Sequence, residues 1–354
     1  MTKPLSLNSF LLLSIILSST SCPAKAADGP KNYLNKPDSW FATDEAKKLA
    51  ANILTYQTEL GGWPKNTDTT AKPYTGDLKE LRANFDNSAT TDELRFLARM
   101  FNATKDELYG KAFNKGYDYV LKSQYVNGGW PQYSPPPAHE YPRHITFNDD
   151  AMVRLMEFLR ETYSQPRYQF IDADRLKAAR LAFDKGIDCI LKCQIKVNGK
   201  KTVWCAQHDE HDFQPRPGRS YELVSQSGGE SVHIVKLLMT LDKPSPEVID
   251  AIESAIAWFK EVKIDGIRLD TVKDEKSPKG TNRIVVKDPT AKPLWARFVE
   301  IGSNRPIYSD RDGVIKRDIS ELGYERRNGY SWLTNRPQKL IEKDYPAWKA
   351  KLSK

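Results

Sequence analysis

Sulfur and imidazole are scarce in this chain of 354 residues, which has four cysteines, five methionines and five histidines. No Cys-x-x-Cys pair occurs, so the spacing that supports a structural zinc site is missing. His144 and His208 could act as general bases, but no serine nucleophile is evident to complete a triad. For either one alone, a structural hydrogen-bonding role is the plainer reading. No apolar run is long enough to span a bilayer. No alternating run is long enough for a β-helix or sandwich, and no EF-hand loop is present. Cys189 and Cys193 are four apart on one helix face. With Cys205 they predict one disulfide and one buried thiol in an oxidising compartment, with the pairing open.

What is abundant is positive charge. Lys and Arg total 54 against 46 Asp and Glu, a net charge of +8, and the pI is about 9.0. Such a surface favours polyanions: nucleic acid, acidic polysaccharide or anionic membrane. Lys3, the apolar stretch Phe10 to Leu17 and Ala24-Lys25-Ala26 have the form of a secretory signal peptide over residues 1–26. Cys22 offers a lipid-anchor alternative, weakened because Ser19 stands where a lipobox requires leucine. Export to the periplasm or medium argues against nucleic acid and points to an acidic polymer outside the membrane. Hydrophobic content of 39% and a mean hydropathy of -0.62 fit one soluble domain over 27–354, expected as a monomer.

Helical periods of 3.6 dominate, and they repeat. Gly-Gly-Trp-Pro occurs at Gly61 and again at Gly128, each time after a helix and before a polar loop. Ala112 to Gln124 matches Ala182 to Gln194 at an offset of 70 residues, with Asn198-Gly199 and Trp204 in place of the Gly-Gly-Trp loop. Repeated helix pairs bury each unit's face on the next. The predicted architecture is mainly α, a helical α/α toroid with long loops gathered at one rim. A small β region is expected within 264–335 and a last helix from about Gln338 to Leu352.

Four loop clusters carry the unusual chemistry. The first joins Trp63-Pro-Lys65-Asn66 to Asn84-Phe-Asp86-Asn87. The second is His144 through Asp150. The third runs from Trp204 to Glu222 and includes His208, Arg216, Arg219 and Tyr221. The fourth, Trp295 to Val314, sets Arg297, Arg305 and Arg311 among aromatic residues and turn formers. Arginine forks grip carboxylates, so the fourth cluster predicts a site for an acidic, ring-shaped ligand. Asp86 and Asp149-Asp150 precede helices, where N-capping is their plainest role. Their other reading is a hard-cation site of oxygen ligands that suits calcium. Trp63, Trp130 and Trp204 read either as core anchors or as sugar-stacking faces.

These motifs, taken in order, resemble the pectate lyases of polysaccharide lyase family 10. They are Gly-Gly-Trp-Pro-Lys-Asn, Phe-Asp-Asn-Ser-Ala-Thr, His-Ile-Thr-Phe-Asn-Asp-Asp-Ala-Met, Trp-Cys-Ala-Gln-His-Asp, Ser-Gly-Gly-Glu-Ser, Ala-Arg-Phe-Val-Glu-Ile and Arg-Pro-Ile-Tyr-Ser-Asp-Arg-Asp-Gly. The resemblance runs from about residue 35 to 352. It implies an α/α toroid that cleaves polygalacturonate by calcium-assisted β-elimination, leaving 4,5-unsaturated oligogalacturonates. On that resemblance Arg311 is the catalytic base, Asp86 and Asp149 are the acidic metal-site residues, and Arg297 and Arg219 bind substrate carboxylates. Trp63, Lys65 and Asn87 complete the expected substrate-binding set.

Ser88, Val299 and Asp310 depart from the family pattern. Asp310 is expected to make Arg311 hold its proton more firmly, whereas Arg297, Arg305 and calcium would ease its release. Two other readings compete. One is an inverting glycoside hydrolase using Asp86 and Asp149. The other is a non-catalytic pectin-binding protein of the cell surface.

Overall fold

The computed structural model describes residues 29–352. The expected signal peptide and Cys22 lie outside the described residues. Helix α1 (Asp44–Thr55) starts where the sequence signals it, with the Thr43 hydroxyl accepting from the Ala46 amide. Helices α2 (Thr91–Thr104) and α3 (Glu107–Lys122) follow, the latter capped by Asp106. Then come α4 (Ala151–Ser164), α5 (Ala173–Cys193), α6 (Glu230–Leu238) and α7 (Pro246–Glu261). Ser245 caps α7 and Pro246 takes its first position, where a missing N–H costs nothing.

The helices alternate between two layers. In one, α4 packs against both α2 and α6; in the other, α5 packs against both α3 and α7. The layers join through the pairs α2/α3, α4/α5 and α6/α7. Buried side chains form one continuous core from Phe41 to Trp348.

The repeats are fastened by two recurring contacts. The buried indoles of Trp63, Trp130 and Trp204 donate to the carbonyls of Ile53, Val120 and Ile190 at 2.8, 3.0 and 2.7 Å. Trp295 makes a fourth such bond, to Phe259 at 2.7 Å. The amides of Gln57 and Gln124 each bridge two carbonyls, Gly61 with Ala112 and Gly128 with Ala182. Gln194 does the same with Thr202 and Ala251. Each glutamine thus ties its own loop to a helix farther along the chain. Gly61 and Gly128 have φ of +111° and +94°, and a Cβ on either would lie 2.4 or 2.1 Å from a carbonyl of the neighbouring helix. Only glycine fits there.

Most strands are two residues long and cross-link the loops. Phe298–Val299 pairs with Gln226–Ser227, and Trp295–Ala296 with Leu333–Thr334. The expected β region does form within 264–335. Its longest part is a hairpin, Ile267–Lys273 against Thr281–Lys287. Helix α8 (Tyr324–Gly329) packs on that hairpin. The last helix starts slightly early as α9 (Arg336–Lys339), widens into a π-turn over Leu340–Asp344 and resumes as α10 (Tyr345–Leu352). Pro346 has no N–H for a regular bond, which accounts for the widened turn.

The expected disulfide does not form: Cys189, Cys193 and Cys205 are all free and buried. Burial pushes the Cys193 and Cys205 thiols up, keeping them protonated.

Candidate active site

Two matching turns carry the acidic residues. Asp86–Ser88 and Asn148–Asp150 each form a short 3-10 turn whose middle residue is left-handed, Asn87 at φ 53° and Asp149 at φ 49°. The turns pack against each other. Asp86 is therefore the counterpart of Asn148, and Asn87 that of Asp149. The capping role fails for all three acids. Thr90 and Asp150 hold the N-cap positions of α2 and α4, and neither makes a side-chain capping bond. Thr90, at φ 71°, is held by its hydroxyl, which accepts from the Trp63 amide and donates to the Asn84 carbonyl, both at 2.9 Å.

Asp86 is buried, and its Oδ2 accepts from Lys65 Nζ and Gln132 Nε2, each at 2.8 Å. Its Oδ1 is buried with no partner. Asp149 is partly open. Its Oδ1 accepts from Arg297 Nη2 at 3.1 Å and its Oδ2 from Asn148 at 2.9 Å. Burial works against charge on Asp149, but Arg297 and Arg219 outweigh it and hold the carboxyl below its ordinary range. Arg297 also donates to buried Glu230, which the Ser227 hydroxyl supports. Burial opposes the Arg297 charge too, yet Glu230, Tyr330 and Asp149 hold its proton more tightly than usual.

A second group lies beside the first. Arg219 binds Glu222 through its side chain and through its own amide, the latter at 3.0 Å. Glu222 in turn accepts from the Tyr330 hydroxyl at 2.7 Å. The Tyr330 ring sits under Arg297 at 4.9 Å, Arg326 at 5.7 Å and Arg219 at 5.9 Å. The Tyr221 ring sits under Arg326 at 4.4 Å, Arg219 at 5.0 Å and Arg311 at 5.7 Å. Four guanidiniums thus surround two adjoining phenol rings, whose negative faces offset their mutual repulsion. Burial pushes the Tyr141 phenol up; Arg219 opposes this, while Glu222 and Asp86 add to it.

Arg311 is 59% exposed in its side chain and forms a two-pronged pair with Glu325. Nε meets Oε2 at 3.1 Å and Nη2 meets Oε1 at 2.9 Å. The pair raises the Arg311 pKa, with a smaller opposing pull from Arg219. Asp310, the expected cause, faces away. It accepts from the Gly323 amide at 2.9 and 3.1 Å and from Lys316 at 2.6 Å. Arg305 stands apart, exposed and 3.9 Å from Glu300.

The structure therefore brings Asp149, Arg297, Arg219 and Arg311 together around Tyr221 and Tyr330, with Asp86 on the neighbouring turn, paired with Lys65. Asn87 is exposed and donates to Asn66 at 2.7 Å. Trp63 is a correction: with no exposed surface it cannot stack on a sugar, and it anchors the core instead. The same holds for Trp130 and Trp204. His208 is also structural. Its Nδ1 lies 2.8 Å from the Phe213 carbonyl and its Nε2 accepts from the Cys205 amide, while burial pushes its pKa down to about 4. Sequence reasoning assigned no role to Glu230, Tyr330, Glu325 or Gln132. Glu230 had a signal in Ser-Gly-Gly-Glu-Ser, and Gln132 had one as the counterpart of Lys65 after the second Gly-Gly-Trp-Pro; Tyr330 and Glu325 had none.

Asp149 and Asp86 offer hard oxygen donors, and the Oδ1 of Asp86 is buried with no hydrogen-bond partner, so the donor chemistry fits calcium. Among the described residues a different group, His144, Asp209 and Glu210, meets metal-ligand spacing. Its carboxylates pair with Arg143 and Arg216, and His144 Nδ1 meets Glu210 at 3.0 Å.

A family model described as pectic acid lyase matches residues 57–341. A solved structure of a family 10 polysaccharide lyase from Cellvibrio cellulosa is 32% identical, with a TM-score of 0.76 over 90% of this chain and 96% of its own. A mutant of that enzyme in complex with trigalacturonic acid matches at 0.75, with the same identity and coverage. Among curated proteins none matches. By residues 57–341 and this likeness, the chain belongs to the pectic acid lyases, an enzyme of polysaccharide lyase family 10.

Proposed function

We propose that the protein cleaves α-1,4-linked polygalacturonate by β-elimination, with Arg311 as the base and calcium at Asp149 and Asp86. The observation that carries this reading is the gathering of Arg219, Arg297 and Arg311 around Tyr221 and Tyr330 beside ionised Asp149. An acidic sugar chain needs such fixed cationic forks with flat faces between them. The trigalacturonic acid bound by the Cellvibrio mutant supports the same substrate class.

Elimination removes the weakly acidic C5 proton while O4 leaves. Arg219 and Arg297 would hold uronate carboxylates and stabilise the charge that builds up as the proton departs. Calcium, when bound, would add positive charge at that carboxylate. Arg311 would take the proton from its neutral form. Because Glu325 raises its pKa, that form is populated only toward alkaline pH, so activity should climb well above neutrality.

An inverting hydrolase needs one carboxyl protonated as acid. Asp149 is held below its ordinary range, which does not suit that role, and Asp86 is paired with Lys65. The wider reading is a secreted or periplasmic monomer, freed of residues 1–26, whose two helix layers close into an α/α toroid.

The test is ultraviolet absorbance of unsaturated product on polygalacturonate at alkaline pH, with chelator and then with calcium restored. Absorbance that returns with calcium supports lyase and metal together. New reducing ends without absorbance would mean hydrolysis, and binding with neither would mean a non-catalytic pectin-binding protein.

A further inference from the structure

Glu325 engages Nε and Nη2 of Arg311 and leaves the third nitrogen alone: Nη1 has no hydrogen-bond partner among the described residues. The carboxylate is itself fixed. Buried Arg326 donates to both of its oxygens, one of these bonds at 2.9 Å. The backbone on either side is tied as well, because Asp310, next to Arg311, takes the Gly323 amide two residues before Glu325. Lys316 closes on Asp310 and Asp312 at 2.6 and 3.4 Å, so neither of those carboxylates is turned to Arg311. Tyr221 and Arg219 are the other groups that act on its guanidinium.

The geometry points to Glu325 as a positioning residue that holds Nε–H and Nη2–H of Arg311 and so assigns Nη1 as the nitrogen that takes the C5 proton. This rests on Arg311 being the base. A neutral guanidine can carry its lone pair on any of three nitrogens, and a carboxylate fork on two N–H groups selects the tautomer with the pair on the third. In the step, the Nη1 lone pair takes the proton and restores the guanidinium. The C5–H electrons become the C4=C5 double bond. The C4–O4 bond breaks with its electrons on oxygen, and that oxygen collects a proton from water. The arrangement resembles the way a buried carboxylate fixes the tautomer of a catalytic histidine. It has a cost, since the same carboxylate holds the Arg311 proton more firmly.

Glu325→Gln and Glu325→Asp test this through full pH–rate profiles on polygalacturonate, alongside Arg311→Lys. Glu325→Gln should move the alkaline rise in activity to lower pH. It should also lower kcat at the plateau by roughly tenfold to a hundredfold, with KM within about twofold. Glu325→Asp keeps the charge, so its rise should stay near that of the parent while kcat falls. A merely structural residue would change the amount of folded enzyme without moving the profile. A Glu325→Gln profile superimposed on the parent's, with Arg311→Lys inactive, would overturn the role of Glu325 and leave the base intact. An active Arg311→Lys would instead remove the base. Should Glu325→Gln fail to fold, Glu325→Asp decides, because a rise displaced to lower pH with the charge retained would also overturn the proposal.

Discussion

The side-chain amide of Gln124 reaches out of its own repeat to donate to the Ala182 carbonyl, 2.8 Å away, while also holding the Gly128 carbonyl at 2.9 Å. Removing it as Gln124→Ala strands the Gly128 loop carbonyl and cuts that loop's tie to helix α5. Unfolding free energy should fall by about 1–3 kcal/mol. Denaturant melts would show this, while activity per folded molecule should be unchanged.

Arg297 is the counter-charge for Glu230 and Asp149. Arg297→Ala would leave buried Glu230 without it, at a cost of about 3–5 kcal/mol, and should abolish activity as well. Arg297→Lys keeps a charge but cannot fork between two carboxylates. It should fold, yet lose roughly tenfold or more in kcat/KM.

Two buried groups set opposite edges to the pH range of stability. His208 is pushed down to about 4 from 6.5 by burial, so its contribution is complete above pH 6.5 and is lost as pH falls through about 4. Glu93 is pushed up to about 8 from 4.5 by burial, so its contribution is complete below pH 4.5 and drains away as pH rises to about 8. Glu93→Gln should therefore melt progressively higher, relative to the parent, between pH 4.5 and 8. A constant offset across that range would contradict the assignment.

Asp310 is a tie between two loops, not a brake on Arg311. Asp310→Asn weakens its hold on Lys316 and the Gly323 amide. Its kcat should fall with the alkaline rise left in place. A rise displaced to lower pH would show that Asp310 governs the Arg311 proton after all.

Trp63→Phe should lower the melting temperature, because the indole bond to Ile53 is lost in the core. KM for polygalacturonate should not change. A raised KM with parental stability would restore the sugar-stacking role.

Helices were legible because their apolar period and caps are local. Thr43 and Ser245 both cap where they stand. The repeats were legible at Gly61 and Gly128 because a tight approach there admits no side chain. The loops were less so. Tryptophan in a Gly-Gly loop looks exposed until the neighbouring helices close over it. Asp310 next to Arg311 looks like its partner, whereas the Gly323 amide, 13 residues on, takes the carboxylate. Glu325 carried no signal because its pairing with Arg311 depends on how α8 docks on the hairpin. Asp86 and Asp149 looked like helix caps, since Asp before a helix has that local role far more often than any other.

The left-handed turns have a further consequence for how the enzyme wears out. Asn87, Ser88, Thr90, Asp149 and Asp150 all sit at positive φ, and such residues cost of order 1–3 kcal/mol each when strained. That energy is released if the turns unwind, whereas the helices behind them gain nothing by opening. Heat should therefore blunt the aim of the acids before it melts the scaffold. Durability and sharpness draw on different parts of the chain, and a more robust core would lengthen the life of the fold without equally lengthening the life of the active site.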